Sequence, residues 1–150
     1  MGQGIEGLDR LMRRVSRLES RISGEIEKPF KASGTYMIGS IQRNFTSSGR
    51  PKKWEGLADS TIRQRRRGSG RGGVKPLIDT ARLKNSMDKR IRTTELEIGT
   101  GMVQAKRQHF GYPKGEGRGH SKTPARPFMM FQDPEDYDAI GRIFSRHVRS

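Results

Sequence analysis

The residues best suited to chemistry in this 150-residue sequence are three histidines, two glycine-rich runs and a cluster of arginines. His109, His120 and His147 stand in unrelated segments, and none has a carboxylate at metal-ligand spacing. A structural or partner-facing role for His109 is therefore expected over catalysis. In residues 68–75, glycines 68, 70, 72 and 73 lead to Lys75 and briefly suggest a phosphate loop. Val74 breaks the step from the last glycine to the lysine, and Pro76 stands where a Ser or Thr would bind magnesium. The second run, Gly-Glu-Gly-Arg-Gly at 115–119, lacks both a preceding strand and a helix whose N-terminus would hold a phosphate. No cofactor, metal site or enzymatic activity is expected from these residues.

The arginines are the stronger signal. Residues 50–75 carry nine Lys/Arg (Arg50, Lys52, Lys53, Arg63, Arg65, Arg66, Arg67, Arg71, Lys75) against Glu55 and Asp59, a net +7 of the chain's +15. Such a patch can neutralise phosphates without sequence preference, with a steep salt dependence. Base stacking needs aromatics interleaved with the charges, and none lies between Trp54 and Phe110. Contact with an acidic protein surface is the competing reading. Arg63, Arg65, Arg66, Arg67, Arg71 and His109 are the candidate interface residues, and the loops 63–73 and 112–123 are expected to order against a partner.

Only 30% of residues are hydrophobic and the mean hydropathy is -0.89, so a single domain over 1–150 must have a small core. With 19 glycines and 7 prolines, much of the chain is expected in loops, gaining order from a partner or from copies of itself. There is no cysteine and hence no disulfide framework. No apolar run approaches the roughly 20 residues of a membrane span, and no signal-type segment follows Met1, so a soluble chain, unprocessed as written and without membrane contact, is expected.

The elements that must position these residues centre on 75–100. Met87, Ile91, Leu96 and Ile98 alternate as one apolar face of a β-hairpin. A turn at Thr93-Thr94 places Ile91 opposite Leu96, Arg92 opposite Glu95 and Arg90 opposite Glu97. Asp79-Thr80 is expected to cap a short turn carrying Leu83 and Met87. Upstream, Ile5, Leu8, Leu11, Met12, Val15, Leu18, Ile22 and Ile26 form one helical stripe. That stripe either lies on the domain's own sheet or packs on a neighbouring subunit. Pro29 is expected to end or bend this helix near Lys28, with a second helical pattern over 30–45. A short helix follows Asp59 or Ser60, and another over 102–110 stops at Gly111. The prolines of 124–131 suggest an edge strand, and Asp133-Pro134 starts a last helix over 133–148 with Tyr137, Ile140 and Phe144 inward. The fold class is α+β: a small antiparallel sheet packed with a long N-terminal helix (1–28) and a C-terminal helix, around a core region at 45–131. Trp54, Leu57, Leu83, Ile91, Leu96, Ile98 and Phe128 are expected to pack together. Arg126, between Pro124 and Pro127, is expected to fork onto Asp79 or Glu97.

In this order the segments resemble the phage virion morphogenesis family, the tail-completion proteins of tailed bacteriophages. Phe45, Pro51, Trp54, Leu57 and Thr61 resemble its aromatic–Pro–Trp–x–x–Leu–x–x–x–Thr signature. Leu77-Ile78, Thr80, Leu83 and Ser86 resemble its Leu-Ile-x-Thr-Gly-x-Leu-x-x-Ser block, with Ala81 where the family favours glycine. Ile98-Gly99-Thr100, Ala105, His109 and Gly111 resemble Ile-Gly-Thr followed by Tyr-Ala-x-x-His-Gln-x-Gly, with Gln104 in place of tyrosine. Pro124-Ala-Arg126-Pro-Phe128 resembles the late Pro-Ala-Arg-Pro-Phe block. The resemblance implies a non-enzymatic virion subunit at the neck or tail end, assembled in the host cytoplasm. It also implies a homo-oligomeric ring, in all expectation a hexamer, that meets neighbouring neck and tail proteins during tail completion and head–tail joining. The alternative is a basic, non-enzymatic nucleic-acid-binding domain, with possible DNA contact through the arginines.

Overall fold

A computed structural model describes residues 3–68, 73–92, 95–113 and 122–148; within helices, residues 3–11, 18, 19, 21, 23 and 148 are described by backbone alone. The element order is α1 (Gln3–Thr46), α2 (Asp59–Arg67), α3 (Arg82–Asn85), β1 (Met87–Arg92), β2 (Glu95–Thr100), α4 (Ala105–Phe110) and α5 (Glu135–Val148). The architecture is α+β, with the long helix α1 packed on both the hairpin and the C-terminal helix α5.

Helix α1 does not stop at Pro29. It runs 44 residues with the proline inside it. An interior proline costs about 3 kcal/mol or more. Burial of the face that follows offsets this: Ser33, Gly34, Ser40, Ile41, Asn44 and Phe45 share it and are all buried. At Gly34 a Cβ would come within 2.7 Å of Lys89 Cδ and 3.0 Å of Leu96 Cδ1, so glycine lets the hairpin lie directly against the helix. Lys89 runs its aliphatic stem over this contact and donates from Nζ to Lys31 O at 3.0 Å.

The hairpin register matches the sequence pattern: Ile91 faces Leu96, Arg92 faces Glu95 and Arg90 faces Glu97. The ion pair, however, is diagonal, from Arg92 to Glu97 at 3.8 Å. Turn residues Thr93 and Thr94 lie outside the described residues.

The core cluster is Ile41, Phe45, Trp54, Leu83, Met87, Ala105 and Phe128. Phe45 sits between Trp54 (ring centroids 5.9 Å, edge to face) and Phe128 (5.1 Å). Ile98 packs on this cluster from partial burial. Leu57, Ile91 and Leu96 do not belong to it. The second half of α1, rather than the hairpin alone, supplies the central surface, leaving Ile91 and Leu96 half-buried beside the helix.

Five local details differ from expectation. The turn before α3 is not capped by Asp79 or Thr80: its N-cap is Ala81, at φ 57°, without a side-chain bond, and Met87 opens β1. That left-handed conformation costs a non-glycine residue about 1–2 kcal/mol, which is why a glycine suits the position. Likewise α2 begins after Ala58 with no side-chain cap. Residues 124–131 are extended but form no strand, because Asn44 Nδ2 takes the carbonyls of Phe128 and Met130, both at 2.8 Å. Helix α4 begins only at Ala105 rather than at Met102, and Val103 ahead of it is exposed. In α5 Tyr137 faces solvent, and the inward position belongs to its neighbour Asp136.

Candidate functional site

Asp136 is fully buried at the start of α5 and joins the C-terminal helix to α1. Its Oδ2 accepts from Ser40 Oγ at 2.7 Å and from Gln132 N–H at 2.6 Å, while Oδ1 accepts from Tyr36 Oη at 2.9 Å. Arg43 Nη2 lies 3.5 Å from Oδ1. The Asp136 N–H returns to Gln132 O at 2.7 Å, so the carboxylate and the backbone close the helix start reciprocally. Burial pushes this carboxyl's pKa up, but the bonds from Gln132, Ser40 and Tyr36 and the charge of Arg50 outweigh it and hold it below the usual range. The network continues through Arg50, which donates to Ser40 O and Ser40 Oγ (both 2.9 Å) and to Asn44 Oδ1 (2.8 Å). Helices α1 and α5, the loop after α1 and the extended 124–131 segment therefore share one polar junction. Sequence reasoning missed it. The available signal was Tyr36, Ser40, Arg43 and Asn44 recurring at helical spacing beside Ile41 and Phe45.

Arg126 is buried, and its partner is neither Asp79 nor Glu97. Nη2 donates to Glu55 O at 3.1 Å and Gly56 O at 3.0 Å, and Nε donates to Glu55 O at 3.2 Å. Burial lowers the guanidinium's pKa, the charge of Glu55 raises it and that of Arg65 adds to the lowering. The fork thus ties the segment after Trp54 to the late Pro-Ala-Arg-Pro-Phe stretch. Arg126→Lys loses the planar fork and is expected to cost about 1.5–3 kcal/mol in urea unfolding. A lysine variant as stable as the native chain would rule the fork out.

Arg65, counted among the interface candidates, is likewise spent inside the chain. Its Nη1 donates to the carbonyls of Gly73 (2.9 Å) and Lys75 (3.0 Å), and Nε lies 3.8 Å from Asp79 Oδ1. That oxygen is buried and has no hydrogen-bond partner among the described residues. Arg65 and Arg126 line a cleft of about 790 Å³ together with Leu57, Asp79, Arg82 and Lys122. Arg63, Arg66 and Arg67 are exposed on α2, whereas Arg71 lies outside the described residues, as do 114–121 of the late glycine loop.

His109 is half-buried. Its ring meets Phe128 edge to face at 5.2 Å and Phe110 at 4.6 Å, and burial lowers its pKa. Gly111, at φ 74°, ends α4 where a Cβ would come within 2.7 Å of Ala125 N and Thr123 O. Tyr112 and Thr123 then pair through both backbone bonds, closing the base of the glycine loop. Gly99 has open space around it. Among the described residues no group of three His, Cys, Asp or Glu is placed to hold a metal ion, and no helix is long and apolar enough to cross a membrane.

Of the described side chains of α1 ahead of Ile26, all are exposed, including the apolar Met12, Val15 and Ile22 on one stripe. No curated protein and no solved structure matches the chain at a significant level. The family model of the phage virion morphogenesis family matches residues 6–149. That match spans α1, the core and α5 together, and the chain belongs to the phage virion morphogenesis family.

Proposed function

We propose that this virion morphogenesis protein is a structural subunit that forms a ring at the phage neck or tail end, takes part in tail completion and head–tail joining, and works through docking surfaces rather than a catalytic centre. The observation that carries this reading is the uncovered stripe on α1. A helix of 44 residues is about 66 Å long at about 1.5 Å per residue. Its first half presents Met12 (61% exposed), Val15 (44%) and Ile22 (55%) to solvent on one side. Apolar residues held in line on a long helix are a packing surface awaiting a partner, and a neighbouring copy brings the same stripe.

Native mass spectrometry tests it. The intact chain is expected to run as a closed ring. Met12→Gln, Val15→Gln and Ile22→Gln together are expected to weaken association by about tenfold or more, from the apolar area no longer buried. The subunit's own melting transition should barely move, since these side chains are exposed. A chain that stays monomeric at every concentration and binds DNA tightly would favour the alternative of a nucleic-acid-binding domain. Exposure of Arg63, Arg66 and Arg67 together on α2 is the feature that keeps this alternative in view.

A further inference from the structure

Among the described residues the sheet has two strands, and nothing pairs with either of its outer edges. Among the described residues no backbone–backbone hydrogen bond reaches the outer side of β1 or β2, and Lys89 N–H takes only its neighbour's Asp88 Oδ1 at 2.8 Å. Each strand of an antiparallel pair turns half of its backbone donors and acceptors away from its partner, so two rows of such groups are free. Helix α1 covers one face of the hairpin. The uncovered face carries Asp88, Arg90 and Arg92 on β1 and Glu95, Glu97 and Gly99 on β2, and its five charged side chains are all exposed. The two strands therefore differ in net sign on this face: β1 carries Arg90 and Arg92 against Asp88, and β2 begins on two glutamates.

Building on the ring reading, we propose that the β1 edge of one copy adds, antiparallel, to the β2 edge of the next. On this face β2 carries only acids, so β2 against β2 is disfavoured, and with one aspartate per β1 only β1 against β2 pairs both arginines with acids. The complementary edges pair head to tail, which is the contact that generates a ring when its rotation closes. If the junction repeats the hairpin's own register, Arg90 and Arg92 lie beside the neighbour's Glu97 and Glu95, and Asp88 lies over the open space at Gly99. The charges that keep these edges from pairing indiscriminately would then select a second copy of this chain. The α1 stripe and the hairpin edges are separate surfaces, and either can be altered without the other.

Charge swaps on the full chain, followed by native mass spectrometry and circular dichroism, test this. A chain with Arg90→Glu and Arg92→Glu, and a second with Glu95→Lys and Glu97→Lys, should each associate about tenfold more weakly than the native chain. Mixed in equal amounts, the two should co-assemble with alternating subunits, because each supplies the edge the other lacks. A defect inside one hairpin cannot be mended by mixing, so rescue reports on the junction. If either variant fails to fold, the chain bearing all four substitutions keeps opposite charges across its hairpin. It should assemble with itself and refuse to exchange subunits with the native protein. A native ring whose charge-swapped chains assemble and exchange freely would overturn the edge junction while leaving the ring intact. A native chain that never assembles would overturn both.

Discussion

Phe128→Ala should remove about 3–5 kcal/mol of stability, the range for truncating a fully buried phenylalanine. The ring is wholly inaccessible, touching Phe45 at 5.1 Å and His109 at 5.2 Å. Its backbone carbonyl is one of two held by Asn44, so the segment cannot slide inward to refill the space. The loss is a large part of the roughly 5–15 kcal/mol that a domain of this kind has in total. A melting temperature lower by roughly 10 °C is expected, measured at one fixed protein concentration so that assembly contributes equally. Phe128→Leu keeps most of the volume and should cost less than about 1.5 kcal/mol. A loss below about 1 kcal/mol for the alanine variant would mean that the core does not depend on this ring.

The parts of this structure legible in the sequence are those set by local pattern. The hairpin register follows from alternating apolar residues whose flanking charges agree with the same pairing. The end of α4 follows from a glycine that takes positive φ. What stayed hidden depends on groups that every residue carries or on partners far along the chain. Arg126 and Arg65 bind backbone carbonyls, which no sequence pattern marks, so the sequence points Arg126 to a carboxylate and Arg65 to a partner surface instead. Pro29 reads as the end of a helix because propensity counts its local cost. Tertiary burial decided otherwise, and Gly34 is the place where the hairpin touches the helix. The buried face of α1 is partly polar (Ser33, Ser40, Asn44), so its periodicity looks weaker than its packing is. No local pattern marks Asp136 as buried, because its burial depends on Tyr36 and Ser40, about a hundred residues earlier in the chain.

Asp136→Ala should detach α5 from α1 and cost about 3–5 kcal/mol, because it strands several buried donors at once. Tyr36 Oη, Ser40 Oγ and Gln132 N–H all lose their acceptor, and Arg43 loses its anion. Asp136→Asn keeps the shape but puts an amide donor where the site supplies only donors, so it should be nearly as damaging. The loss should be felt first in α5, where Phe144 packs edge to face on Phe30 at 5.3 Å, and hydrogen exchange along that helix should quicken before the core yields. The pH dependence separates a charged keystone from a merely well-packed one. The folded carboxyl titrates below its unfolded value of about 3.9, so its stabilisation is fully present above that pH and fades as the pH falls through the lower, folded value. Urea midpoints of the native chain and the asparagine variant should therefore differ by a constant amount from neutrality down to about pH 4 and converge below it. A gap that stays unchanged as the pH falls well below about 3.9 would show that the charge of Asp136 is not what holds α5 in place.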